Sequence, residues 1–238
     1  MRPKDERACS GDGMAGRIIT VAQQKGGSGK TTLTANLAVA LRRKGFTVAV
    51  LDTDPQGSLG RWFMERLQAV GEDGGLEFST SSAWGASYEG EKLKRRFDVV
   101  LIDTPPKIES DLRPALRVAD LVLVPVASSQ VDLWATEGVL DLAAREKRPV
   151  MIVLNRTRPN TRLGAEVAAG AAALGVDVAR AQLAHRVSYA ESLGRGGAVA
   201  EGPAGPGRDE ITALADEIMA LTEEIMAHAG IEGAATIR

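Results

Sequence analysis

Residues 23–32 read Gln-Gln-Lys-Gly-Gly-Ser-Gly-Lys-Thr-Thr, and they can hold a phosphate chain. Gly26, Gly27 and Gly29 let backbone N–H groups converge without a Cβ in the way, and Ser28 adds a hydroxyl. Lys30 can reach terminal phosphates, the Thr31 hydroxyl can ligate Mg²⁺, and Thr32 follows in the same turn. Two further groups of carboxylates belong to the same chemistry. Asp52 and Asp54 sit in Asp-Thr-Asp-Pro-Gln-Gly, straight after an apolar run. Asp103 ends Val-Val-Leu-Ile-Asp and precedes Thr-Pro-Pro, the arrangement of a carboxylate that holds Mg²⁺, usually through water. Together they point to nucleoside triphosphate chemistry with Mg²⁺.

The elements that must position these residues are legible as alternating strands and helices. Ile18–Ala22 is a buried strand before the glycine loop. Leu33–Lys44 is a helix after it, with Leu33, Leu37, Ala40 and Leu41 on one face. Strands follow at 47–51, 76–80, 98–103, 121–126, 149–154 and 177–183. Helices are expected at 58–70, 91–97, 111–119, 131–145, 161–174, 185–193 and 209–227. Residues 81–90 read as a loop in which Trp84 and Tyr88 are packing residues, and 195–207 reads as a flexible loop. This order predicts an α/β fold: a doubly wound, mostly parallel sheet with helices on both faces. In such sheets ligands bind beyond the carboxyl ends of the strands, where the aspartates lie.

Composition agrees. The chain has 238 residues, 44% hydrophobic but only 4% aromatic, which suits a Val/Leu/Ile/Ala core around a parallel sheet. One domain is expected over 17–228, with 1–16 a disordered extension and 229–238 a flexible tail. A single cysteine, Cys9, rules out a disulfide framework or a cysteine metal cluster and suits a cytoplasmic protein. No apolar run approaches the length of a membrane span. The net charge of −2 favours no nucleic-acid partner as a whole, but Arg145, Lys147, Arg148, Arg156, Arg158 and Arg162 lie close together, followed by Arg180, Arg186 and Arg195. The last helix is acidic. Such runs are usually solvated faces.

The loop departs from the usual phosphate-loop pattern, with Gln24 where a glycine is expected and Lys25 just before Gly26-Gly27. Lys-Gly-Gly-x-Gly-Lys-Thr, Asp-x-Asp-Pro-Gln-Gly and Asp-Thr-Pro-Pro resemble, in this order, the motifs of the ParA/MinD superfamily of ATPases, and the resemblance spans about 18–227. It implies that Lys25 acts on a dimer partner's nucleotide, that Asp54 positions the attacking water, and that Asp52 lies near the metal with Thr31 and Asp103. It also implies that Asn155 hydrogen-bonds adenine. In ParA proteins an ATP-bound homodimer binds DNA without sequence preference through basic residues. Here the candidates are Arg156, Arg158, Arg162 and Arg186. A partner or cargo adaptor then stimulates slow hydrolysis, giving a cytoplasmic, nucleoid-associated positioning ATPase for a plasmid, chromosome region or protein assembly.

Other branches fit less well. The acidic last helix lacks the basic amphipathic character with which the MinD branch binds membrane. Cys9 is misplaced for the cluster of nitrogenase iron proteins. No helix-turn-helix precedes the phosphate loop, as in the small ParA type. The rival classes are a dethiobiotin-synthetase-like ligase or kinase on the same fold, which would need no second lysine, and a scaffold that binds ATP without hydrolysing it.

Overall fold

The computed structural model describes residues 16–71, 74–106 and 109–235. The extension assigned to 1–16, except Gly16, lies outside these residues, and so does Cys9.

Eight strands form one sheet in the order β3-β2-β4-β1-β5-β6-β7, with β8 also paired to β6. They are β1 (Arg17–Val21), β2 (Val48–Asp52), β3 (Glu77–Thr80), β4 (Val99–Asp103), β5 (Leu121–Val126), β6 (Val150–Thr157), β7 (Asp177–Val178) and β8 (Leu183–Ala184). Every pairing is parallel. β1, β2, β4 and β5 are buried along their whole length, which accounts for their mostly apolar sequences, broken by Arg17 and Thr20 in β1 and by the aspartates that end β2 and β4.

Alternate side chains of these strands feed two layers. Ile19 and Val21 of β1 pack with α1 (Lys30–Arg43), α2 (Ser58–Val70), α8 (Val187–Leu193) and α9 (Pro206–Ala235). Ile18 faces the other way, among residues of α3 (Ala86–Lys94) and α4 (Glu109–Val118). That second layer continues over β5 and β6 with α5 (Gln130–Trp134), α6 (Glu137–Arg145) and α7 (Arg162–Ala172). The doubly wound architecture expected from the alternation is therefore present. The strand order turns around at β1, so the loop leaving β1 opens into the crevice at the switch point.

Several elements differ from their expected extent. Residues 81–90 are a 3₁₀ turn, Ala83–Gly85, followed by α3. A Cβ on Gly90 would sit 3.4 Å from Ile102 Cδ1, so this small-residue stretch is a helix lying close on the sheet, where packing outweighs propensity. Trp84 and Tyr88 are not packing residues: they are 84% and 78% exposed.

The single helix expected over 131–145 is broken at Ala135–Thr136 into α5 and α6. Thr136 Oγ1 donates to the Asp132 carbonyl at 3.0 Å, and Gln23 Nε2 donates to Thr136 Oγ1 at 3.2 Å. Side-chain bonds of this kind compete with the helical ladder. The strand expected over 177–183 is two short strands. Between them the N–H groups of Arg180 and Ala181 donate to the Glu217 carboxylate at 2.7 and 2.9 Å, which takes them out of the sheet. α9 begins on Pro206 and continues to Ala235, past the boundary at 228 expected for the tail.

Candidate nucleotide site

β1 ends at Val21 and α1 begins at Lys30, and the loop between them turns through Gly27 (φ +76°) and Gly29 (φ +92°). These are left-handed positions that suit glycine. The loop therefore wraps over the amino end of α1, where N–H groups and the helix dipole favour an anion. Gly26 faces Pro106, across 3.9 Å from an ideal Cβ. Lys30 is buried and its Nζ donates to the Gln23 carbonyl at 3.0 Å. Burial pulls its pKa down, against the opposing pull of Asp103 and Asp54. Such a desolvated ammonium gains from a multiply charged anion.

The carboxylates gather at adjoining strand ends. Asp52 and Asp103 are register partners on β2 and β4. Thr31 Oγ1 donates to Asp103 Oδ2 at 2.7 Å, and Thr34 Oγ1 approaches Oδ1 at 3.4 Å. Burial pushes the Asp103 pKa up to about 7; the Thr31 bond opposes this and neighbouring Asp52 reinforces it. Asp52 spends both oxygens on the backbone, accepting from Asp54 N and Gly60 N, each at 3.0 Å. It shapes the loop that carries Asp54, and its donors are fixed backbone N–H groups, whereas the donors to Asp103 are threonine hydroxyls that can rotate. Burial raises its pKa, and these backbone bonds oppose the rise. Asp54 Oδ1 accepts from Gln56 N at 2.9 Å. Asp54 lines a cavity of about 530 Å³ together with Gly27, Gly29, Lys30, Thr31, Thr32, Pro106 and Arg156.

The site fits a magnesium nucleotide. Ser28 Oγ is buried in the loop with no partner in the protein, an orphan that a bound phosphate oxygen would satisfy. The Thr31 hydroxyl and the Asp103 carboxylate offer hard oxygen ligands. Among the described residues no group of three His, Cys, Asp or Glu is placed to hold a metal ion. Mg²⁺ takes one or two protein oxygens and completes its shell with phosphate and water, so Thr31 and Asp103 would suffice to hold it.

Other expected residues are placed differently. Asn155 lies in β6, which runs three residues beyond its expected end, and its Nδ2 donates to the Ser28 carbonyl at 2.9 Å. Its Oδ1 accepts from Arg156 N at 2.9 Å, leaving one Nδ2 proton for a base. A Cβ on Gly29 would come within 2.4 Å of Asn155 Nδ2, so this contact requires glycine. Arg156 does not join the other arginines: its Nη1 donates to the Gly27 carbonyl at 2.9 Å. Lys25 lies outside the cavity lining, its ammonium paired with Asp132 on α5.

The remaining arginines do not form one patch. Arg162, 94% exposed, pairs with Glu166 on α7, with exposed Arg158 just before it. Arg186 precedes α8 in the opposite layer and is held by Glu210 of α9 at 2.6 and 3.0 Å. Asp132, Gln23 and Thr136 were not foreseen. A polar residue three before Gly26 was a signal for Gln23; nothing in the spacing pointed to Asp132.

A family profile described as the CobQ/CobB/MinD/ParA nucleotide binding domain matches residues 19–199. The chain belongs to this family. Among its ParA/MinD-type relatives, the maintenance of carboxysome distribution protein A of Halothiobacillus neapolitanus is 29% identical over 185 residues, covering 75% of this chain and 84% of that one. The chromosome-partitioning ATPase Soj of Thermus thermophilus is 37% identical over 153 residues, covering 54% of this chain and 60% of its own length. The septum site-determining protein MinD of Pyrococcus horikoshii, solved with Mg-ADP, shares the fold with a TM-score of 0.73 at 20% identity, covering 88% and 98% of the two chains.

Proposed function

We propose that this chain is a ParA-type positioning ATPase. ATP binds in the cavity beyond β1, joins two subunits, and commits the dimer to DNA without sequence preference. Hydrolysis, stimulated by a partner or cargo adaptor, releases it. The protein then acts in the cytoplasm on the nucleoid to place a plasmid, a chromosome region or a protein assembly. The names of the carboxysome-distribution and chromosome-partitioning relatives support this class of task.

The observation that carries the reading is the division of labour between two lysines. Lys30 is buried inside the phosphate cavity, whereas Lys25 stands outside it and is held by Asp132. A second lysine in the loop that does not serve its own cavity is available to another subunit's nucleotide. Lys30, the glycine N–H groups and Ser28 bind phosphate. Mg²⁺ held by Thr31 and Asp103 would neutralise charge on the phosphate oxygens. Asp54 orients water for in-line attack on the terminal phosphorus, whose bond to the bridging oxygen breaks to give ADP and phosphate. Among the described residues no helix is long and apolar enough to cross a membrane.

Retention of the purified protein on DNA, with and without Mg-ATP, tests the proposal. Retention that requires ATP and falls with salt is expected. Turnover that requires a small-molecule acceptor, with no ATP-dependent retention, would establish the ligase or kinase class.

A further inference from the structure

Neighbouring residues of a regular strand point to opposite faces. Asn155 and Arg156 of β6 break that rule, since their side chains bind consecutive carbonyls of one loop, Ser28 and Gly27. The cause is local. Arg156 has φ +53°, in the left-handed region that an L-residue seldom occupies, and the pairing of β6 with β8 shifts register between Asn155 and Thr157. The peptide is fixed on either side: Arg156 N donates to Asn155 Oδ1 at 2.9 Å, and Ser128 Oγ donates to the Arg156 carbonyl at 2.6 Å. A strained residue over-determined by its surroundings is a frequent feature of ligand sites. Here the strain turns a guanidinium into the phosphate cavity, whose wall it forms with Lys30 and Thr31. Only one of its five donors is engaged by Gly27.

We propose that Arg156 is a nucleotide-site residue, whose guanidinium pairs with phosphate oxygens of the nucleotide bound in the cavity and is not part of a DNA surface. The inference rests on the nucleotide-site reading given above. Arg156 adds a cation anchored on the phosphate loop to a cavity that Lys30 and Arg61 also line, and its planar fork matches a phosphate. Because it also braces Gly27, phosphate binding and loop geometry are joined in one side chain.

Calorimetric titration of the full chain with Mg-ADP and Mg-ATP tests this in wild type, Arg156→Gln and Arg156→Lys, beside the nucleotide-free melting temperature of each. Glutamine removes the charge and ends two bonds short of the Nη1 position that meets Gly27; lysine keeps the charge and reaches further. Arg156→Gln is expected to bind both nucleotides about tenfold more weakly, the worth of one charge-assisted contact, with a melting temperature like that of Arg156→Lys. Arg156→Lys should regain part of that loss. Wild-type affinity in Arg156→Gln would overturn the proposal alone. Equal losses in both variants, accompanied by early melting, would also overturn it, assigning Arg156 to bracing the loop. A wild-type chain that bound neither nucleotide would overturn the nucleotide-site reading and this proposal with it.

Discussion

Lys25, in the phosphate loop, and Asp132, on α5, are ion-paired within one chain. The lysine side chain is 38% exposed and that of Asp132 11%, so solvent screens the lysine end of the pair and weakens it. A charge-assisted contact with phosphate in a closed interface is worth about 1.5–3 kcal/mol. If two subunits meet as proposed, Lys25 would gain by leaving Asp132 for the nucleotide of the second subunit.

Lys25→Ala should therefore leave Mg-ATP binding by the single chain largely intact and abolish the ATP-dependent dimer. Light scattering with and without ATP checks this. A variant that dimerises like wild type would remove the proposed role across the interface.

Asp103 predicts a pH signature of the nucleotide-free protein. Its pKa is pushed from 3.8 to about 7 in the fold, so between those values the folded chain binds more protons than the unfolded one. The contribution to stability is full below pH 4 and is lost as pH rises towards 7, with a slope of at most about 1.4 kcal/mol per pH unit. Asp103→Asn should flatten this fall. Denaturant titrations of both proteins at pH 5 and pH 8 provide the comparison, and parallel pH profiles would contradict it. Magnesium affinity should run the opposite way, rising as the carboxylate deprotonates near pH 7.

Asp54→Ala should slow ATP hydrolysis by about 10²-fold or more while sparing ATP binding, because the chemistry depends on positioning. With the release step blocked, the variant should stay on DNA. Phosphate-release kinetics and DNA retention on the same preparation decide it. Wild-type turnover in the variant would defeat the assignment.

Charge reversal at Arg158 and Arg162 should weaken DNA retention with no change in DNA-free ATP turnover. Each lost phosphate contact lowers the salt dependence by about 0.9 log unit per log unit of salt. Arg186→Glu is a poorer probe, since it would set a carboxylate against Glu210, its present partner. Salt titrations of retention separate direct contacts from a solvated face.

The core of the site was legible because a parallel sheet brings all its carboxyl ends to one edge. The glycine loop after β1 and the aspartates ending β2 and β4 had to converge once the alternation was read. Asn155 and Arg156 were less legible because a left-handed residue leaves no signature in residue type; regular alternation sends only one of them to the loop. The break at Thr136 depends on a hydrogen bond from Gln23, distant in sequence, and no local pattern records it. Only the last residues of α3 fell within the helix expected at 91–97; its first half, 86–90, was hidden by small and polar residues and is stabilised by close approach to Ile18 and Ile102. The acidic face of α9 looked merely solvated, yet Glu210 and Glu217 hold Arg186 and the backbone between β7 and β8.

The place of β1 in the sheet governs the order of events during synthesis. It is the earliest described strand to leave the ribosome, yet its neighbours are β4 and β5, made some 80 to 100 residues later. Its first residue, Arg17, is held by Thr222 of α9, 205 residues further on. A nascent chain that has completed the phosphate loop still has nothing to lay it against. Until β4 emerges β1 waits outside the tunnel with two unpaired edges, and one edge stays open until β5 follows, an interval in which a chaperone that masks such edges has its longest opportunity.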